Sequence, residues 1–223
     1  MKRILTTALG AIAVTAAAVW WFALRAPEPA MAQTAEPVAD ASGTSEQFGV
    51  TEMTMGAEDA PIEVIEYGSF TCPHCARFHN DVLPEIEENY IDTGEVKFTF
   101  REVYFDKYGM WASLIARCDG GTERFFGLAD MFYSTQSEWV RAGSEGAIAD
   151  ELRKIGRIGG LDSDRIDACL ADGDKLQSLL EWYQANAEAH DITATPSFVI
   201  DGEKYSNMPY DDFAEVLDAK LGE

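Results

Sequence analysis

The chain has 223 residues, 47% hydrophobic and 25% charged, enough to bury one sizeable core. Its formal net charge of -22 excludes the clustered Lys and Arg that nucleic acid or anionic lipid would require. Most of that acidity reads as solubility.

Lys2 and Arg3 precede an uncharged run from Ile4 to Leu24, and Ala30-Met31-Ala32 follows as an A-x-A cleavage site. Trp20-Trp21-Phe22 resembles an interfacial aromatic anchor. Residues 1–32 are therefore expected to be a signal peptide cleaved after Ala32 or a retained membrane anchor. Both place the remainder outside the cytoplasm, in the periplasm, where disulfides persist. Residues 33–49, polar and without periodicity, read as a flexible linker. The folded domain is expected over residues 50–223.

"PIEVIEYGSF" is short and β-branched and predicts a strand. "CPHCARFHNDVLPEIEENYI" carries Phe78, Val82, Ile86 and Tyr90 at helical spacing, with Pro84 expected to kink or restart the helix. "EVKFTFREV" predicts a second strand with Val96, Phe98 and Phe100 on one side. From about residue 105 to 190 only helical patterns follow, with Ser163 and Asp172 as expected caps and glycines between the segments. Trp111, Phe125, Phe126, Phe132, Tyr133, Trp139, Trp182 and Tyr183 read as packing of that block. "TPSFVI" predicts a strand, Asp201-Gly202 a hairpin turn, and "KYS" its short return. "YDDFAEVLDAKL" predicts a closing amphipathic helix. The fold class is α/β, a small domain interrupted by a helical insertion.

"FTCPHCARF" places two of the four cysteines at the first strand–helix junction. Pro73 suits the first helical position, which makes Cys72 the N-cap and Cys75 the third helical residue. The Cys72 sulfur then sits among free N–H groups at the positive end of the helix dipole, which stabilises a thiolate. His74 is expected to add positive charge. Cys75, one turn in, is expected to be more buried. Such an asymmetric pair suits thiol–disulfide exchange. Zinc would need two further ligands at similar spacing, and Cys118, Cys169, His79 and His190 supply none, so neither a metal nor any other cofactor is expected.

"FTCPHC" after a strand containing Glu66, with "TATPSFVI" far downstream, resembles the bacterial DsbA-type thiol oxidases. The resemblance implies a thioredoxin-like fold with a helical insertion from about residue 105 to 190. It implies that Cys72 is the exposed nucleophile and Cys75 its buried partner. Pro196 would be a cis-proline facing the disulfide, with Thr195 contacting substrate. Glu66 would be a buried carboxylate able to relay a proton for Cys75; the alternative is a solvent-facing strand residue. Two departures are His79, where the family prototype has an acidic residue, and Ala194, where glycine is more usual before Thr-Pro.

Cys118 and Cys169 fall in the insertion. In an oxidising compartment a structural disulfide is expected over two buried free thiols, worth about 4 kcal/mol for a loop of about fifty residues. The implied function is an extracytoplasmic oxidase that donates its Cys72–Cys75 disulfide to folding secreted proteins with free thiols, as a monomer, and is reoxidised by a DsbB-type membrane partner. The alternatives are a reductase or isomerase using the same site, and a redox-inert binding or chaperone module. A shuffling isomerase of the DsbC type would need a dimerisation domain, which the short polar linker does not provide.

Overall fold

A computed structural model describes residues 45–119 and 121–222. The expected signal or anchor, and most of the expected linker, lie outside the described residues. Residues 45–49 are docked: Ser45–Phe48 forms a 3-10 turn, and Phe48 packs with Val50, Leu179 and Trp182.

The strands are β1 (Met53–Met55), β2 (Ile62–Gly68), β3 (Val96–Glu102), β4 (Ser197–Ile200) and β5 (Glu203–Ser206). They form one five-stranded sheet in the order β1-β3-β2-β4-β5, with β2 and β3 parallel and the other pairs antiparallel. A parallel neighbour requires a crossover, and the helical segment after β2 supplies it. Central strand β2 is buried on both faces except at Glu63, which explains why its apolar residues alternate imperfectly. Strand β1 has no counterpart in the sequence reading. Three residues are too few to show a period, and pairing of Met53 with Phe100 defines it.

The segment after β2 alternates α and π geometry: α1 (Pro73–Arg77), a π turn (Phe78–Val82), α2 (Leu83–Ile86) and a second π turn (Glu87–Ile91). Pro84 has no N–H to continue the helical ladder, and Leu83 N–H bonds back to Phe78 O instead. The extra residue rotates the apolar face. Leu83, 3% exposed, enters the core where the helical period pointed to Val82, which stays half-buried.

The insertion comprises α3 (Lys107–Ala116), α4 (Thr122–Ser134), α5 (Gln136–Trp139), α6 (Glu145–Ile158), α7 (Ser163–Leu170) and α8 (Gly173–Ala189). The cap of α7 is Asp162, not Ser163: its carboxylate accepts from Arg165 N–H at 2.9 Å. Asp172 caps α8 by accepting from Lys175 N–H. Cys118 and Cys169 are joined in a disulfide between the end of α3 and α7. A buried polar knot fastens the insertion to the sheet. Glu102 at the end of β3 takes two bonds from Arg117, each 2.6 Å, and one from Ser113 Oγ at 2.8 Å. Arg117 also donates to Thr51 O.

After the insertion, β4 pairs antiparallel to β2, and Asp201 and Gly202 turn the chain with φ of 47° and 80°. Two positive φ values in a two-residue loop suit the twist of a tight hairpin. Helix α9 (Tyr210–Leu221) closes the domain, packing Phe213 against Phe78 and Phe198 and burying Leu217 in the same core.

Candidate active site

The end of β2, the start of α1, the loop before β4 and the short helix α5 meet at the cysteine pair. Cys72 is the N-cap of α1 with extended backbone (φ -83°, ψ 119°), and Pro73 opens the helix. Both cysteines are free thiols and both are buried: Cys72, expected to be exposed, is 8% exposed because the Thr195–Pro196 loop packs over it, and Cys75 is fully enclosed. Pro73 and His74 are exposed beside them.

The two sulfurs differ sharply in acidity. Cys72 is lowered from 9.0 to about 5. The largest cause is the hydrogen bond from the Cys75 thiol, followed, against the opposing cost of burial, by the Thr195 hydroxyl and the backbone N–H groups of Cys75 and His74. The Thr195 hydroxyl is buried without an ordinary hydrogen bond in the dithiol, so it is available to turn toward the anion. His74 therefore acts through its backbone. Its ring, expected to add charge, instead accepts at Nδ1 from Arg77 Nη2 at 2.6 Å. Cys75 is pushed far up, first by burial, then by its bond to Cys72 and the charge of Glu66. Ser69 N–H donates to Cys75 Sγ at 3.4 Å.

Across from the helix, the Cys72 thiol donates to Thr195 O at 3.4 Å, and the Thr195–Pro196 peptide bond is cis. Pro196 is buried and Thr195 half-buried. Glu66 is 0% exposed, its Oε2 2.8 Å from His79 Nε2. Gly68 lies so close to it that a Cβ there would meet Glu66 Oε1 at 2.8 Å and Phe100 Cε2 at 2.6 Å. Cys118 and Cys169 stand apart from this group as a bridge within the insertion. Among the described residues no three His, Cys, Asp or Glu side chains gather as a metal site.

Three residues of the site are absent from the sequence reading as site residues. Gln136 Nε2 donates to both Phe70 O at 2.8 Å and Cys72 O at 3.0 Å, clamping the backbone around the N-cap from the insertion. Asp106 caps α3 and accepts from Thr71 Oγ1 at 2.8 Å, holding the residue before Cys72. His79 enters the sequence reading as a departure from a family pattern and as a residue outside any zinc-ligand spacing, not as a site residue. The buried glutamine of "TQSEW" carries no local signal; its role depends on contacts more than sixty residues away. Replacing Gln136 with Leu leaves the Phe70 and Cys72 carbonyls without this donor. The expected result is a loss of about 1–3 kcal/mol in stability and a slower exchange rate at Cys72, checked by urea unfolding and by alkylation kinetics of the reduced protein.

A family model described as thioredoxin matches residues 49–219. Among curated proteins, a "Putative protein-disulfide oxidoreductase" of Rickettsia conorii is 30% identical over 199 residues, covering 87% of this chain and 69% of the relative. Its counterpart in Rickettsia bellii is 30% identical over 172 residues, covering 77% of this chain and 65% of the relative. The match thus spans about two thirds of the length of these relatives. Among solved structures, alpha-DsbA1 of Wolbachia pipientis superposes with a TM-score of 0.70 at 27% identity, covering 80% of this chain and 96% of that one.

Proposed function

The chain belongs to the thioredoxin family and closely resembles its DsbA-type thiol–disulfide oxidoreductases, and from that premise we propose that it oxidises dithiols in folding secreted proteins by exchange at Cys72–Cys75. The observation that carries this reading is the placement of Cys72 at the N-cap of α1, 3.4 Å from Thr195 O in the cis Thr195–Pro196 loop and beside a fully buried Cys75, a setting that lowers Cys72 to about 5 and raises Cys75. A substrate thiolate attacks Cys72 Sγ, the disulfide breaks, and Cys75 leaves with the electron pair and takes up a proton. The substrate's second thiolate then attacks the mixed disulfide and displaces Cys72, whose low pKa makes it a good leaving group. Cys72 and Cys75 are the catalytic residues. The backbone beside Thr195 and Pro196 is the surface along which an extended substrate would pair.

The work is extracytoplasmic and, in this reading, periplasmic, as the basic-then-apolar order of residues 2–32 supports. Reoxidation falls to a quinone-coupled membrane partner of the DsbB type. The protein acts as a monomer.

Incubating the oxidised full chain with a reduced, unfolded two-cysteine protein should transfer one disulfide per chain. The Cys72→Ser variant should transfer none. Equilibration with glutathione should place the couple in the oxidising part of the known range, from about -120 to -200 mV. A wild-type disulfide that millimolar glutathione leaves intact would overturn the oxidase direction and favour a reductase.

A further inference from the structure

The face of the sheet opposite Glu66 carries a polar chain that the exchange steps do not use. Tyr67 on β2 is fully buried there. Its ladder partners are Arg101 on β3 and Ser197 on β4, the residue after Pro196. The Tyr67 hydroxyl meets three groups. Arg101 Nη1 donates to it at 3.1 Å, His190 Nδ1 lies 2.6 Å away, and Asn186 O lies at 3.4 Å. Arg101 also donates to Asn186 Oδ1 at 2.7 Å and pairs with Glu52 at 2.8 Å. A guanidinium has donors only, so the phenol oxygen accepts from Arg101 and the phenol proton goes to the shorter of the other two contacts. That makes His190 an acceptor at Nδ1, with a neutral ring.

His190 caps the end of α8, and residues 191–195 run from it to Pro196. This segment carries Thr195 to its contact with Cys72. Thr193 and Ala194 are exposed along it. Its far end is held by β4, where Ser197 Oγ donates to Ala194 O at 2.8 Å. Its near end is held by His190 on Tyr67 and, at the surface, by Lys204 Nζ on Asp191 O at 2.7 Å.

We propose that His190 is a positioning residue for substrate: its neutral ring, held by the Tyr67 hydroxyl, fixes the start of the 191–196 loop, and a proton on that ring releases it. This rests on the exchange reading and on the loop beside Thr195 as the edge along which substrate pairs. A proton at Nδ1 removes the acceptor. The phenol must then turn its own proton to Asn186 O, and its oxygen faces donors from two cations in a desolvated place, which is disfavoured. Imidazole is the side chain whose ordinary titration falls between pH 5 and 8. The charged and titratable groups around the contact are Tyr67 on β2, Arg101 on β3 with Glu52 beyond it, Glu188 and Asp191 next to His190 in sequence, and Lys204 on β5. Glu188 and Asp191 are exposed carboxylates, the second paired with Lys204. Solvent screens both more than it screens the buried hydroxyl.

The test is single-turnover oxidation of a reduced two-cysteine peptide by excess oxidised full chain, read as a half-saturation concentration and a limiting rate. Reduction of the same chain by a small dithiol, which needs no loop contact, runs beside it. His190→Ala should raise the half-saturation concentration up to about tenfold at pH 7.5, the cost of one hydrogen bond, and change the small-dithiol rate far less. His190→Asn, whose Oδ1 accepts the same proton and does not titrate, should recover most of that loss. In wild type the half-saturation concentration should rise severalfold from pH 7.5 to 5.5, and His190→Asn should abolish the rise. Backbone amide shifts of residues 191–195 in wild type should titrate with the same midpoint as the His190 imidazole. An unchanged half-saturation concentration in His190→Ala, an equal loss with the small dithiol, or loop amides that ignore the imidazole titration would overturn the proposal. The amide titration needs no variant and decides alone if His190→Ala does not fold. A wild-type chain that oxidises the peptide while these readouts stay flat refutes the His190 role alone. A wild-type chain that does not oxidise the peptide refutes the exchange reading.

Discussion

The reduced protein should gain stability over the oxidised one as pH rises from 5 to 9, by about 2–3 kcal/mol at pH 7 relative to pH 4. The source is Cys72, whose value falls from 9.0 to about 5 on folding. A group lowered by folding contributes its full stability above its unfolded value and loses it as pH falls through its folded one. At pH 7, two units above the folded value, about half of the full effect is present. Cys75 moves the other way, but between pH 4 and 7 its thiol is protonated in both states, so it does not oppose the trend over the measured range. The oxidised protein has neither thiol and lacks the effect. The measurement is urea unfolding of both redox forms at pH 4, 5.5 and 7. A free-energy difference that stays flat with pH would show that the Cys75 thiol, the Thr195 hydroxyl and the helix N–H groups together do not stabilise the Cys72 thiolate. The same 2–3 kcal/mol corresponds to about 60 mV in the oxidising direction, which links the hydrogen bonds on Cys72, that of the Cys75 thiol first, to the proposed direction of exchange.

Replacing Arg117 with Leu should cost about 3–5 kcal/mol, because it leaves the Glu102 carboxylate buried with only Ser113 beside it. Both side chains of the pair are 1% exposed, so solvent does not take over. For a domain of this size the unfolding temperature should fall by roughly 10 °C or more. Arg117→Lys should recover only part of the loss, since an ammonium cannot reproduce the two parallel bonds. Replacing Glu102 and Arg117 together with Leu and Met should cost much less than Arg117→Leu alone, because no unpaired charge remains. Thermal unfolding of the three variants separates these outcomes. Equal losses in the single and double variants would mean that packing, and not the stranded charge, sets the cost. Because Gln136 and Asp106 hold the Cys72 loop from the insertion, loosening this knot should also slow exchange without touching the cysteines.

Much of this molecule is written in local sequence. Pro73 at the first helical position, the two cysteines around it and the β-branched run before them place the thiols at a strand–helix junction without reference to any other part of the chain. The long helices of the insertion follow from their apolar period, and the hairpin from Asp201-Gly202. These features depend on neighbours within a few residues, where steric and hydrogen-bonding preferences act directly. Tertiary structure decided the rest. The β1 strand exists by pairing with β3, and Leu83 instead of Val82 enters the core because Pro84 forces a π turn upstream. Glu66 meets His79, and Gln136 reaches Cys72 O, only after the strand, the active-site helix and the insertion have closed on one another. A buried polar side chain has no periodic signature. Its meaning comes from the partner that desolvation compels it to find, and that partner is assigned by the fold.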